Sequence, residues 1–197
     1  MVLGLRSVEQ ACSKSFGIRL WHNLMKRITP RLFFSAGPLI PKLRAVCFET
    51  RARTPVNPVA MAHELGVTVK VATFADPRIV GALLPQEGEW TVFIRSSDNP
   101  RRQRFTVAHE LGHYVLHRDG HPEGMFDDDL NFLRTDGNIA GDKEQEKEAN
   151  LFAAELLMPE NAVRTAYESV KDISALARLF AVSQEAMGYR VLNLGLR

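Results

Sequence analysis

Residues 104–117 read RFTVAHELGHYVLH, and the rest of the chain reads as parts brought to that stretch. His109 and His113 stand four residues apart. On a helix their imidazoles leave the same face one turn apart, where one divalent cation can accept a nitrogen from each. Glu110 follows the first of them, so its carboxylate lies about 100° further round the helix. There it can hydrogen-bond a water at such a cation without binding the ion itself. From the chain's own His and Glu frequencies, an HExxH pattern arises by chance in a sequence of this length with a probability of about 1%. Its setting adds weight. Asn99 and Pro100 make a helix start, and Phe105, Val107, Ala108, Leu111, Val115 and Leu116 supply the apolar faces of a buried helix.

At 197 residues, 45% hydrophobic and 24% charged, the chain has the composition of an ordinary soluble domain with a substantial core. Its two cysteines, Cys12 and Cys47, make no disulfide framework and fit a reducing, cytoplasmic compartment. A zinc site here would therefore not use thiolates. The net charge of +2 hides an asymmetry: residues 1–50 carry eight Lys/Arg against two Glu, a balance of +6, which leaves −4 for the remainder. Basic residues at Lys26, Arg27 and Arg31 precede the apolar run from Leu32 to Ile40, a faint likeness to a secretion signal. Pro38 breaks that run and Pro41 ends it, and nothing approaches the ~18 apolar residues of a membrane span. Residues 1–50 are expected to form a basic, poorly ordered extension, with residues 51–197 as the folded domain.

Within that domain, Asn57 caps and Pro58 opens a short amphipathic helix that Gly66 stops. His63 lies in it with no second histidine at ligand spacing and is expected to face solvent. Val67, Val69 and Val71 alternate with Thr68 and Lys70, the period of a half-buried strand. A second strand is expected from Ile79 to Leu84, a turn around Gly88, and a third strand from Trp90 to Arg95. These form a small antiparallel sheet ahead of the active-site helix. The third strand, just before that helix, is a candidate for pairing with an extended substrate. From Arg118 to Gly141 the pattern reads as an irregular loop whose acidic run, Asp127 to Asp129, is solvated. Asp142, with Gln145 three residues on, predicts the next helix start, and Ala149, Phe152, Ala153, Leu156 and Leu157 its buried stripe. Three further helices follow, one from about Glu160 to Val170, one after Asp172 or Ser174, and one capped by Ser183. The fold class is α+β, a small antiparallel sheet packed on metal-binding helices with a helical C-terminal part.

A hydrolytic zinc ion takes three protein ligands, so HExxH requires one more. His117 lies eight residues beyond His109, about 12 Å along the axis, too far to share one ion. The pattern HExxHxxGxxH fails too, because Leu116 and Asp119 stand where it needs Gly and His. Of the acidic residues on the Asp142 helix, Glu148 falls with Glu155 and Glu144 on a stripe that reads as solvated. Glu146 lies three residues before Ala149 and seven before Ala153, at the edge of the face that packs inward. A carboxylate buried there needs a partner, and a metal supplies one. The expected ligands are thus His109, His113 and Glu146, with Asn150 one turn on as a hydrogen-bonding support and Glu110 as the general base.

RFTVAHELGH (104–113) followed by EKEANLFAAELLMP (146–159) resembles the ImmA/IrrE family of zinc metallopeptidases, and the likeness extends through LARLFAVSQEAMGYRVLNLG (176–195). The resemblance implies Zn2+ as cofactor and Glu146, four residues before Asn150, as the third ligand. It implies a zinc-dependent endopeptidase that cleaves a helix-turn-helix transcriptional repressor, as some members do for mobile elements or stress genes. In this reading zinc lowers the pKa of a water toward ~7, and Glu110 takes the proton as that water attacks a peptide carbonyl. Tyr114, His117, His121, Tyr167 and Tyr189 are all available to stabilise the oxyanion. Many relatives carry a DNA-binding domain ahead of the peptidase; residues 1–50 show no such pattern, so the expected partner is a separate repressor protein, with no membrane span. The alternative is a DNA-binding or antitoxin-like regulator using the helix-turn-helix-like spacing from Ala175 to Leu194. Arg178 and Arg190 are its only basic side chains before Arg197, whereas groove binding normally needs a dense basic face.

Overall fold

The computed structural model describes residues 54–128 and 140–196. The basic extension 1–50 and the stretch 129–139 lie outside the described residues. The elements run α1 (Pro58–Glu64), β1 (Val67–Ala72), β2 (Ile79–Gln86), β3 (Glu89–Arg95), α2 (Pro100–Leu116), a 3₁₀ turn (Arg118–Gly120), β4 (Met125–Asp128), α3 (Ala140–Leu157), α4 (Glu160–Ser169), α5 (Ile173–Phe180) and α6 (Gln184–Asn193).

Local chemistry accounts for the helix starts. The side-chain oxygen of Asn57 accepts hydrogen bonds from the Val59 and Ala60 backbone N–H groups, and that of Asn99 from Arg101 and Arg102, each ahead of a proline at the first helical position. Asp172 and Ser183 cap α5 and α6 in the same way. By contrast α3 begins at Ala140, so Asp142 lies inside its first turn and is not the cap that the spacing predicts. Glu87 and Gly88 both have positive φ, 51° and 87°. That is the primed turn whose twist matches a two-residue β-hairpin, and glycine supplies the second position without strain.

The α+β class is as expected, but the sheet is mixed. Its order is β1-β3-β2-β4, with β2 antiparallel to both β3 and β4 and β1 parallel to β3, Val67 opposite Trp90 and Val71 opposite Ile94. The two sides of β2 are taken by its hairpin partner and by β4. The first strand therefore joins at the outer side of β3 instead of continuing a meander. Two further expectations fail here. β3 is an interior strand, paired on both sides, so its backbone is not free to receive an extended substrate. Part of the presumed loop after the active-site helix, including Asp127 and Asp128, forms the edge strand β4.

α2 lies against β2, β3, α1 and α3. Val107, Ala108, Leu111 and Val115 of α2 join Leu83 and Val92 of the sheet, Phe152, Ala153 and Leu157 of α3, and Leu176, Phe180 and Met187 of α5 and α6 in one core. At about 25 cal/mol per Å2 of apolar surface, burial of such side chains is the main term that holds α2 at the centre. Arg104 ties the start of α2 to the segments that precede α1 and follow α5. Its Nη2 donates to the Val56 carbonyl at 2.7 Å and its Nε to the Ala181 carbonyl at 3.3 Å, and burial lowers its pKa. Arg190 of α6 is buried as well, donating from Nε to the Met158 carbonyl at 2.9 Å and ion-paired with Glu155. One of the two basic side chains of the helix-turn-helix-like segment therefore faces inward.

Candidate metal centre

α2 and α3 meet backbone to backbone. A side-chain carbon at Gly112 would lie 2.9 Å from the Ala149 Cα and 3.1 Å from its carbonyl oxygen, so only glycine permits this approach. Gly112 sits between the two histidines and Ala149 between Glu146 and Asn150, so the contact brings both pairs to one level.

The resulting cluster is His109, His113 and Glu146, whose ligand-type atoms all lie within 4.8 Å of one another. The two Nε2 atoms are 2.9 Å apart, Glu146 Oε2 is 3.3 Å from His109 Nε2, and Glu146 Oε1 is 3.2 Å from His113 Nε2. With bonds near 2.0–2.1 Å, tetrahedral zinc separates its donors by about 3.3 Å. Each histidine lies close to that distance from its nearer carboxylate oxygen, and the histidine edge is slightly shorter. Two imidazole nitrogens and a carboxylate are also a donor set that zinc prefers. The residues fit the ion. Both imidazoles are fully buried, while the Glu146 side chain keeps 33% exposure, so the cluster opens to solvent on the α3 side. Asn150 lies on the far side of His109, its Oδ1 2.9 Å from Nδ1. With the amide oxygen as acceptor, Nδ1 carries the proton and Nε2 presents its lone pair to the cluster.

Glu110 is fully buried and turned toward β2, where its carboxylate fills the space beside Gly81. Sequence reasoning did not single out Gly81 or Gly112; an isolated glycine in an otherwise apolar strand was the available signal for the former. It also misjudged Glu148. That residue is buried, with Oε2 3.7 Å from Nε2 of His117, which follows the last residue of α2. Glu155 likewise accepts an inward ion pair from Arg190. Glu144 alone of the stripe is exposed as expected.

The candidate oxyanion donors separate by location. Tyr114 is buried, its hydroxyl 3.4 Å from the Leu65 carbonyl and its ring edge-on to Trp90. His117 and His121 both hold Gln145, the neighbour of Glu146: His117 Nε2 donates to its backbone carbonyl at 3.2 Å, and His121 Nε2 lies 3.1 Å from its side-chain oxygen. Burial and, next, the nearby His113 push the His117 pKa down to about 4, so this imidazole stays neutral as a structural donor. Tyr167 packs at the edge of the core and Tyr189 is exposed. His63 is exposed on α1, as expected.

An HExxH helix facing a glutamate from a second helix, on a small sheet, defines a domain of the metallopeptidase class. More particularly, the chain belongs to the M78 peptidase family: the family model described as the IrrE N-terminal-like domain matches residues 62–192. It is 29% identical to the metallopeptidase ImmA of Bacillus subtilis (strain 168), over 52% of this chain and 56% of that protein. It is 32% identical to the radiation response metalloprotease IrrE of Deinococcus radiodurans, over 53% of this chain and 34% of that protein. A solved Mycobacterium tuberculosis transcriptional regulator shares the fold, with a TM-score of 0.52 and 17% identity, covering 89% of this chain and 50% of that one. The chain thus spans about half or less of the length of these relatives. Among the described residues, no helix is long and apolar enough to cross a membrane.

Proposed function

We propose that this protein is a zinc-dependent endopeptidase, with His109, His113 and Glu146 as the metal ligands, Glu110 as the general base and residues 51–197 as the folded unit. The observation that carries the reading is the convergence of two imidazole Nε2 atoms and the Glu146 carboxylate within 4.8 Å. A bound zinc ion supplies Lewis acidity, polarising the scissile carbonyl and bringing the pKa of water to about 7. Glu110 accepts the proton that the attacking water loses as its oxygen bonds to the carbonyl carbon. It then delivers that proton to the amine nitrogen as the C–N bond breaks. Asn150 keeps His109 in the tautomer that offers Nε2.

The substrate is a helix-turn-helix repressor encoded near this chain, cut in the cytoplasm to relieve repression. The family likeness of the paired motifs supports this. The DNA-binding alternative is the weaker reading, since Arg190, one of the two basic side chains of its segment, is engaged in the interior.

The test is incubation of the purified protein with the neighbouring repressor, with and without a chelator. Cleavage is expected only with metal, and Glu110→Gln should slow it by about 10²- to 10⁴-fold while zinc content is retained. Undiminished cleavage by the Gln variant rejects the mechanism, and an intact repressor after incubation with zinc-loaded wild type rejects the substrate.

A further inference from the structure

Gly81 stands in the middle of β2, beside Val80, Ala82 and Leu83, all of them buried. A glycine weakens a strand interior, because it adds no packing and loses more backbone freedom on folding than any other residue. Its own backbone does not demand it: Gly66, Gly88, Gly124 and Gly195 have positive φ, and Gly81 does not. Space demands it instead. A side-chain carbon at position 81 would overlap Glu110 Oε1, with Glu110 Cδ at 3.2 Å and the Thr106 methyl at 2.7 Å.

We propose that Gly81 is a positioning residue for the general base, its missing side chain forming the slot in which the Glu110 carboxylate is held. The proposal rests on the reading of Glu110 given above. Three groups border the slot, and they differ in how far they can yield. The β2 backbone is paired on both sides, Gly81 opposite Ile94 of β3 and, just past an irregularity in register between Ile79 and Gly81, opposite Asp127 of β4. Thr106 is β-branched and on a helix, so its methyl has few alternative positions. Glu110 meets the slot with the far end of a side chain that has three rotatable bonds. A methyl group at position 81 is therefore accommodated chiefly by expelling the carboxylate. The histidines, on a different face of α2, stay where they are. Misplacement of a catalytic group by about 1 Å is enough to lower a rate by about 10²-fold.

The experiment uses the full chain and the variants Gly81→Ala and Gly81→Ala/Thr106→Ser, the second relieving the methyl contact. Zinc affinity is measured by competition with a chromophoric chelator, and kcat and KM on the repressor. The slot predicts zinc affinity within about threefold of wild type, KM little changed and kcat reduced about 10²-fold or more, toward the level of Glu110→Gln. A thermal cycle supplies a readout independent of turnover: Gly81→Ala should lower Tm clearly less in Glu110→Ala than in the wild-type background, because only the Thr106 methyl contact then remains. Wild-type kcat in both the single Gly81→Ala variant and the double variant, or an equal fall in Tm in the two backgrounds, overturns the proposal. If wild type itself cleaves nothing, the peptidase reading fails, and the thermal cycle alone then decides for or against the slot.

Discussion

Nδ1 of His109 and Oδ1 of Asn150 lie 2.9 Å apart across the contact between α2 and α3. The hydrogen bond joins the two helices and selects which imidazole nitrogen faces the cluster. Asn150→Ala should weaken zinc binding by about 10- to 100-fold, the usual effect of losing a residue that orients a histidine ligand. Asn150→Asp keeps an acceptor oxygen and should hold affinity much nearer wild type. Equal affinity in wild type and Asn150→Ala, by chelator competition, would show that the bond does not orient the ligand.

Glu146 and Glu148 are two residues apart, about 200° round α3, and they meet different histidines. Glu146→Gln should lose most zinc affinity, because a neutral amide replaces an anionic donor. Its zinc-dependent gain in Tm should shrink accordingly: at a free zinc concentration of 100 times Kd the wild type gains about 2.7 kcal/mol. Glu148→Gln should keep that gain and lower Tm with or without metal, since it alters a buried contact with His117. Calorimetry with and without zinc separates the two, and the reverse ranking would move the ligand to Glu148.

Gly112→Ala should damage fold and cluster together. The atoms in its way are the Cα and carbonyl oxygen of Ala149, which cannot rotate aside, so the helices must separate. Overpacking of this kind typically costs about 1–3 kcal/mol. Adding Ala149→Gly removes only the side-chain contact at 3.2 Å and should rescue little. Full recovery of Tm and zinc affinity in the double variant would contradict a backbone contact.

Arg190→Ala should act on stability. It leaves the largely buried Glu155 carboxylate and the Met158 carbonyl without their cation; breaking a fully buried pair from one side costs about 3–5 kcal/mol, and this pair, with its carboxylate partly exposed, should fall at or below the lower end. Replacing both partners, Arg190→Met with Glu155→Leu, should recover most of that loss. A fall in affinity for duplex DNA with unchanged Tm would revive the alternative in which α5 and α6 read nucleic acid.

Sequence alone determined what depends on near neighbours. The His109–His113 spacing, the caps at Asn57, Asn99 and Ser183, the turn around Gly88 and the inward phase of Glu146 each follow from a few consecutive residues, because helix and strand periods fix side-chain direction locally, whereas the choice of Asp172 over Ser174 as a cap was settled in the structure. Direction does not say what a side chain will meet. The phase that set Glu148 on the opposite stripe was legible, but its burial was not, because it is His117, just beyond α2, that meets it there. The parallel pairing of β1 with β3 and the addition of β4 arise from contacts between distant segments, where strand order answers to the whole sheet. Gly81 and Gly112 are the extreme case. In the sequence each is a missing side chain, and only the tertiary structure decided that the absence at one admits the Glu110 carboxylate and at the other the backbone of α3, because both spaces are created by chains that pack from elsewhere.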